Sequence, residues 1–198
     1  LLPPILPNEL DRLLSDKNYI KAIALAQQNR NYFENGWFDS RLLENLGLAY
    51  EQLEIYQEAL HIFLYLRGVT GVEEKERLYL HLTRISHAKG DNHLVEDFSS
   101  EYFYNYPNGL YHDEILFYRT DSLYAQGLVV QALELLPEPL PDTIKYKYLA
   151  AAIHYQKNDY VQAIGLLLPI WNNAGTLPED QLFIMADSFK KLGRSEES

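Results

Sequence analysis

Leu43-Glu44-Asn45-Leu46-Gly47-Leu48-Ala49-Tyr50, followed after a short polar turn by Tyr56-Gln57-Glu58-Ala59-Leu60-His61-Ile62-Phe63-Leu64-Tyr65-Leu66, is the stretch that decides the fold. Apolar residues recur at three- and four-residue steps on both sides of the turn, which places one apolar stripe on each of two helices. Gly47 and Ala59 are small where the stripes meet, so the two backbones can approach closely. Tyr50 and Phe63 fill the space beside them. The stretch therefore reads as a closely packed helical hairpin.

The pattern returns along the chain. Asn18-Tyr19 with Ala22 and Ala26 reads as the end of an earlier copy. Gly90-Asp91 followed by Leu94 and Phe98 gives a third, closed by Tyr106-Pro107. Tyr124, Gly127, Ala132 and Leu136 give a fourth. Ala151, Ala152, Tyr155, Asn158-Asp159-Tyr160, Ala163 and Leu167 give a fifth, and Leu182, Ala186, Phe189 and Gly193 open a sixth. The second-helix anchors fall at residues 22, 59, 94, 132 and 163, spaced by 37, 35, 38 and 31. That scatter predicts degenerate copies with turns of unequal length, and leaves the frame of the third to fifth copies open by one residue.

A period of about 34 residues with Leu-Gly, Tyr, Ala and Phe at these offsets resembles the tetratricopeptide repeat. Leu43 stands where that family has Trp, and Leu66 where it has its last Ala. The resemblance implies an all-α fold, a right-handed superhelical solenoid of antiparallel helix pairs. It implies one array over residues 1–198 with about five to six degenerate repeats. The last copy stops at Ser198 before its second helix, and the first shows no full first helix, so the array is expected to be cut at both ends from a larger protein. The implied function is a protein–protein interaction scaffold that holds a peptide or helix of a partner in its concave groove. The alternative is a structural spacer or self-association module of a larger multidomain protein, forming a homo-oligomer.

Breakers fall between the helical patterns, at Asn35-Gly36, Pro107-Asn108-Gly109 and Gly175-Thr176-Leu177-Pro178. Pro137, Pro139 and Pro141 are expected to end the helix that starts near Val129. Pro169 lies inside an apolar helix and is expected to kink it. No alternation of period two lasts long enough to make a sheet.

Composition excludes several functions. With 47% hydrophobic and 23% charged residues, the 198-residue chain has the make-up of a folded protein. It has no cysteine, which removes disulfides, thiolate zinc sites and a cysteine nucleophile. The net charge is -11, and the 17 basic residues are scattered, with no run longer than Lys190-Lys191. Nucleic-acid binding needs clustered cations and is not expected. No stretch of about 18 apolar residues is present, so no membrane insertion is expected.

Catalytic chemistry is not expected either. His81, His87 and His93 are spaced by six, not by the three or four residues that put ligands on one helix face. Glu73-Glu74 and Glu179-Asp180 stand at predicted helix starts, where carboxylates complement the helix dipole. Gly68-Val69-Thr70-Gly71 lacks the Lys-Ser/Thr of a phosphate loop. The chain reads as a non-enzyme without cofactor or metal.

In the family it resembles, the first helix of each repeat lines the concave surface. Carried over residue by residue, the inward positions are Arg77 and Arg84 in the third copy and Ile115, Tyr118 and Ser122 in the fourth. In the fifth they are Tyr146, Leu149 and Ile153, and in the sixth Phe183. An apolar, aromatic groove of this kind suits a partner helix or extended peptide. The subfamily that clamps C-terminal carboxylates needs Lys where this chain has Glu44, so tail recognition of that type is not expected. Residues 98–127, with Tyr106-Pro107-Asn108-Gly109-Leu110-Tyr111 at their centre, resemble a junction of bacterial envelope tetratricopeptide proteins, among them outer-membrane assembly lipoproteins and the periplasmic partner of the Tol-Pal system. That resemblance implies a periplasmic or cell-envelope location, with the cytoplasm as the alternative.

Overall fold

The computed structural model describes residues 5–29, 40–69 and 72–193. They form eleven helices and no strand. These are α1 (Ile5–Ser15), α2 (Tyr19–Gln28), α3 (Ser40–Gln52), α4 (Tyr56–Val69), α5 (Val72–Ala88), α6 (Asn92–Asn105), α7 (His112–Ala125), α8 (Val129–Glu134), α9 (Ile144–Gln156), α10 (Tyr160–Ala174) and α11 (Glu179–Lys191). The Asn35-Gly36 turn and Thr70-Gly71 lie outside the described residues. The chain divides into two compact units, Leu1–His112 and Asp113–Ser198.

One device builds the α1–α2, α3–α4, α5–α6, α7–α8 and α9–α10 hairpins. Lys17, Glu54, Gly90, Gly127, Asn158 and Gly193 all take a left-handed backbone conformation, so the turn residues recur at 37, 36, 37, 31 and 35. At the first five of them, the next residue's N–H reaches back five positions: Asn18 to Leu13, Ile55 to Tyr50, Asp91 to Ser86, Leu128 to Leu123 and Asp159 to His154. The turn residue itself donates three positions back, as Glu54 does to Glu51. This pair of bonds closes the last carbonyls of a helix and throws the chain into the next one. Five residues after each of these turns comes a fully buried small residue: Ala22, Ala59, Val95, Ala132 and Ala163. The third anchor is thus Val95, one residue beyond the Leu94 expected from the sequence.

In the first unit α1 pairs with α2, α3 with α4, and α5 with α6. Gly47 on α3 shows why small residues sit at the crossing, since a Cβ there would lie 2.8 Å from Cζ of Phe63 on α4. An 11-residue helix, Ile5–Ser15, precedes α2 in the first copy. Its apolar face buries Leu6, Leu10 and Leu14.

In the second unit α9 packs on both α10 and α11, around Ala151, Ala163, Leu167, Met185 and Phe189. A second cluster joins Ala132 of the short α8 to Leu149 and Ile153 of α9. Pro137, Pro139 and Pro141 follow α8 as expected. Helix α10 runs from Tyr160 to Ala174 with Pro169 inside it, and Pro169 is exposed. Gly175, left-handed, ends it before Pro178 opens α11.

Candidate functional site

First helices of successive copies touch through side chains about one repeat apart. In the first unit Arg77 on α5 makes a two-pronged bond to Glu44 on α3, at 2.5 and 2.6 Å. Two turns further, Arg84 does the same to Glu51, at 2.5 and 2.8 Å. His81 lies between the pairs, with Nε2 3.8 Å from Glu44 and Nδ1 3.7 Å from Glu51. Its ring stacks on Phe63, centroids 4.7 Å apart. Burial alone would push the Glu51 carboxyl up, but the nearby His81 ring, the two hydrogen bonds from Arg84 and the charge of Arg84 outweigh it and hold the group below its ordinary 4.5.

A carboxyl depressed in the fold stabilises it above the unfolded value, and this contribution is lost as pH falls through the folded value. Acidification below about pH 4.5 is therefore expected to destabilise the first unit through Glu51. Glu51→Gln is expected to flatten that part of the dependence of the unfolding midpoint on pH. Equal slopes for variant and wild type would refute the ion-pair account.

Glu76 holds the turn between α6 and α7. Its carboxylate accepts from the Tyr102 hydroxyl at 2.9 Å and from the Leu110 N–H, while Tyr111 N–H donates to the Tyr102 oxygen at 3.0 Å. Any Cβ at Gly109 would collide with both Tyr102 and Glu76. Burial, and then the bond to Glu76, raise the Tyr102 phenol well above its usual range. Tyr79 and Tyr106 pack against Tyr102, and Tyr79 donates to Glu101 at 2.6 Å. The Tyr-Pro-Asn-Gly-Leu-Tyr stretch is thus an anchored turn.

The second unit carries an open hollow of about 660 Å³. Three successive first helices line it: Tyr124 from α7, Tyr155 and Gln156 from α9, and Glu179, Asp180, Phe183 and Ile184 from α11. Phe183 is 61% exposed and meets Tyr155 edge to face, centroids 6.3 Å apart. The Tyr155 hydroxyl donates to Asp187 at 2.8 Å, which fixes the ring, and that bond first, with burial, pushes the phenol up to about 12.

The groove positions read from the sequence separate accordingly. Ile115, Ser122, Tyr146, Leu149 and Ile153 are buried, Ile115 and Ile153 completely. They are packing residues, and the expectation that they face a groove is corrected. The physical reason is rotation: one residue turns a helix by about 100°, so a slipped frame exchanges core and surface. Tyr146 donates to the Asp113 carbonyl at 2.5 Å, thirty-three positions back, and so belongs to the contact between copies. Arg77 and Arg84 are held in the ion pairs above. Tyr118 is half-buried with Lys145 5.7 Å from its ring centre. Only Phe183 of the nine lines the hollow.

No protein-family model matches the sequence, and no curated protein matches it. In structure the chain is similar to a tetratricopeptide repeat protein from Parabacteroides merdae ATCC 43184, with a TM-score of 0.70 over 96% of this chain and 73% of that one, at 14% identity. The fold is that of the tetratricopeptide repeat. Within this tetratricopeptide fold Tyr124, Tyr155 and Phe183 all stand on first helices, those that the sequence resemblance assigns to the concave face. Tyr124, Tyr155, Glu179 and Asp180 were missed by the sequence reading. A signal for two of them exists, because Tyr124 and Tyr155 each stand three residues before a left-handed turn residue, Gly127 and Asn158. No helix among the described residues is long and apolar enough to cross a membrane.

Proposed function

We propose that this chain is a protein-interaction scaffold, and that the hollow on its second unit holds a segment of a partner protein. One observation carries the reading: three consecutive first helices present the rings of Tyr124, Tyr155 and Phe183 to one open hollow. A phenylalanine 61% exposed beside a hydrogen-bonded tyrosine is a rigid aromatic surface, and rigid aromatics are common anchors of binding energy. The tetratricopeptide fold supports the same reading, since stacked helix pairs make an extended face for peptides and helices. A role in a bacterial envelope assembly fits the Tyr106-to-Tyr111 turn, and the partner would then be an envelope protein.

Selection of a displayed peptide library on the purified chain tests this. Wild type is expected to enrich a shared motif, and Phe183→Asp to lose it at an unchanged unfolding midpoint. Binders that ignore Phe183→Asp would move the site elsewhere. Dimerisation of wild type at micromolar concentration, abolished by Phe183→Asp, would instead make this face a self-association surface and favour the spacer reading.

A further inference from the structure

The chemistry of the hollow is more specific than an apolar groove. Its lining brings together three aromatic rings, Tyr124, Tyr155 and Phe183, and two carboxylates, Glu179 and Asp180. Among the described residues no Lys or Arg lines it. Both carboxylates are exposed, on the first turn of α11, and the chain carries a net charge of -11. Aromatic faces attract cations through their quadrupole, and nearby carboxylates add an opposite charge. An uncharged aliphatic side chain would use the rings but gain nothing from Glu179 and Asp180.

The same unit already pairs a cation with rings. Lys145 Nζ lies 4.6 Å from the Phe117 ring centre and 5.7 Å from that of Tyr118. In the first unit Arg67 stands 5.5 Å from the ring centre of Phe98 and 6.0 Å from that of Tyr79 while bonded to Glu101 at 2.8 Å, a guanidinium held by two aromatic rings and one carboxylate. The hollow offers that combination with more rings.

We infer that the hollow is a cation site that takes the arginine or lysine side chain of a basic partner segment. This rests on the scaffold reading above and names its partner's chemistry. Electrostatic attraction between an acidic chain and a basic segment also favours encounter.

The test uses N-acetyl-arginine methylamide, its neutral isostere N-acetyl-citrulline methylamide and the norleucine analogue, each titrated against the ring signals of the intact chain in a two-dimensional aromatic NMR spectrum. The arginine probe is expected to shift Tyr124, Tyr155 and Phe183 saturably, at least about fivefold more tightly than citrulline or norleucine. Glu179→Gln with Asp180→Asn is expected to weaken the arginine probe by about two- to fivefold per carboxylate and to reduce its salt dependence. An unchanged far-UV melt would show that the variant is folded. If citrulline or norleucine binds as tightly as arginine, cation recognition is overturned while the hollow survives as a binding site. If no probe shifts these rings, cation recognition is overturned, and the library selection with Phe183→Asp decides the scaffold reading independently.

Discussion

Gly47→Leu is expected to destabilise the first unit by about 3 kcal/mol or more, at or beyond the usual range for overpacking. Even a Cβ at this position would lie 2.8, 3.1 and 3.2 Å from three carbons of the Phe63 ring. The ring has nowhere to retreat. Phe63 is fully buried, and a face of its ring stacks on His81 at an interplanar angle of 12°. His81 is itself buried between Glu44 and Glu51. The larger leucine must therefore push α3 and α4 apart or break the ion pairs beyond them. Gly165 on α10 supplies the control, since a Cβ there meets nothing within 4 Å. Gly165→Ala is expected to stabilise by about 0.5–1 kcal/mol, through the lower entropy of the unfolded chain. Unfolding followed by circular dichroism measures both, and a Gly47→Leu chain that melts with wild type would overturn the described packing of the hairpin.

The second large effect is at Tyr146. Tyr146→Ala is expected to cost about 3–5 kcal/mol, the range for removing a buried aromatic ring. Only 1% of Tyr146 is exposed, its ring meets Phe117 edge to face, and its hydroxyl donates to the Asp113 carbonyl. Tyr146→Phe keeps the ring and loses one hydrogen bond, so about 1 kcal/mol is expected. Leu149→Ala is expected to cost about 2–5 kcal/mol, while Phe183→Ala should stay within about 0.5 kcal/mol because its ring is mostly in solvent. Denaturant titration of the four variants gives this order. A Tyr146→Ala chain as stable as Phe183→Ala would return Tyr146 to the surface.

That order also shows what could be read from the residues alone. The hairpin at residues 43–66 was legible because small and large residues alternate across a close crossing, and geometry leaves little choice there. The repeat period was legible from the same small anchors, Ala22, Ala59, Ala132 and Ala163, which are fully buried. The third anchor was missed because Val95 and Leu94 are both apolar, and only the backbone turn at Gly90 separates them. The aromatic hollow escaped the sequence pattern for a related reason. Helix α9 reads Ile-Lys-Tyr-Lys-Tyr-Leu-Ala-Ala-Ala-Ile-His-Tyr-Gln and buries Tyr146 together with every residue from Leu149 to Ile153. Apolar residues run nearly all round it, so the pattern does not state its rotation. Tyr146 and Tyr155 are the same residue type on one helix, yet one closes a contact between copies and the other lines the hollow. Distances along the chain carry the period; only side-chain placement tells the two tyrosines apart.

The most direct test of the central claim is photo-crosslinking from position 183. A benzophenone amino acid replaces Phe183 in the protein expressed in its native cells. A second version carries it in place of Val161, which is 63% exposed on α10 and lies outside the hollow. The account predicts an adduct from position 183 with one contiguous, basic segment of a different protein, absent from position 161. Adducts from both positions alike, or only chain-to-chain adducts at position 183, would contradict it.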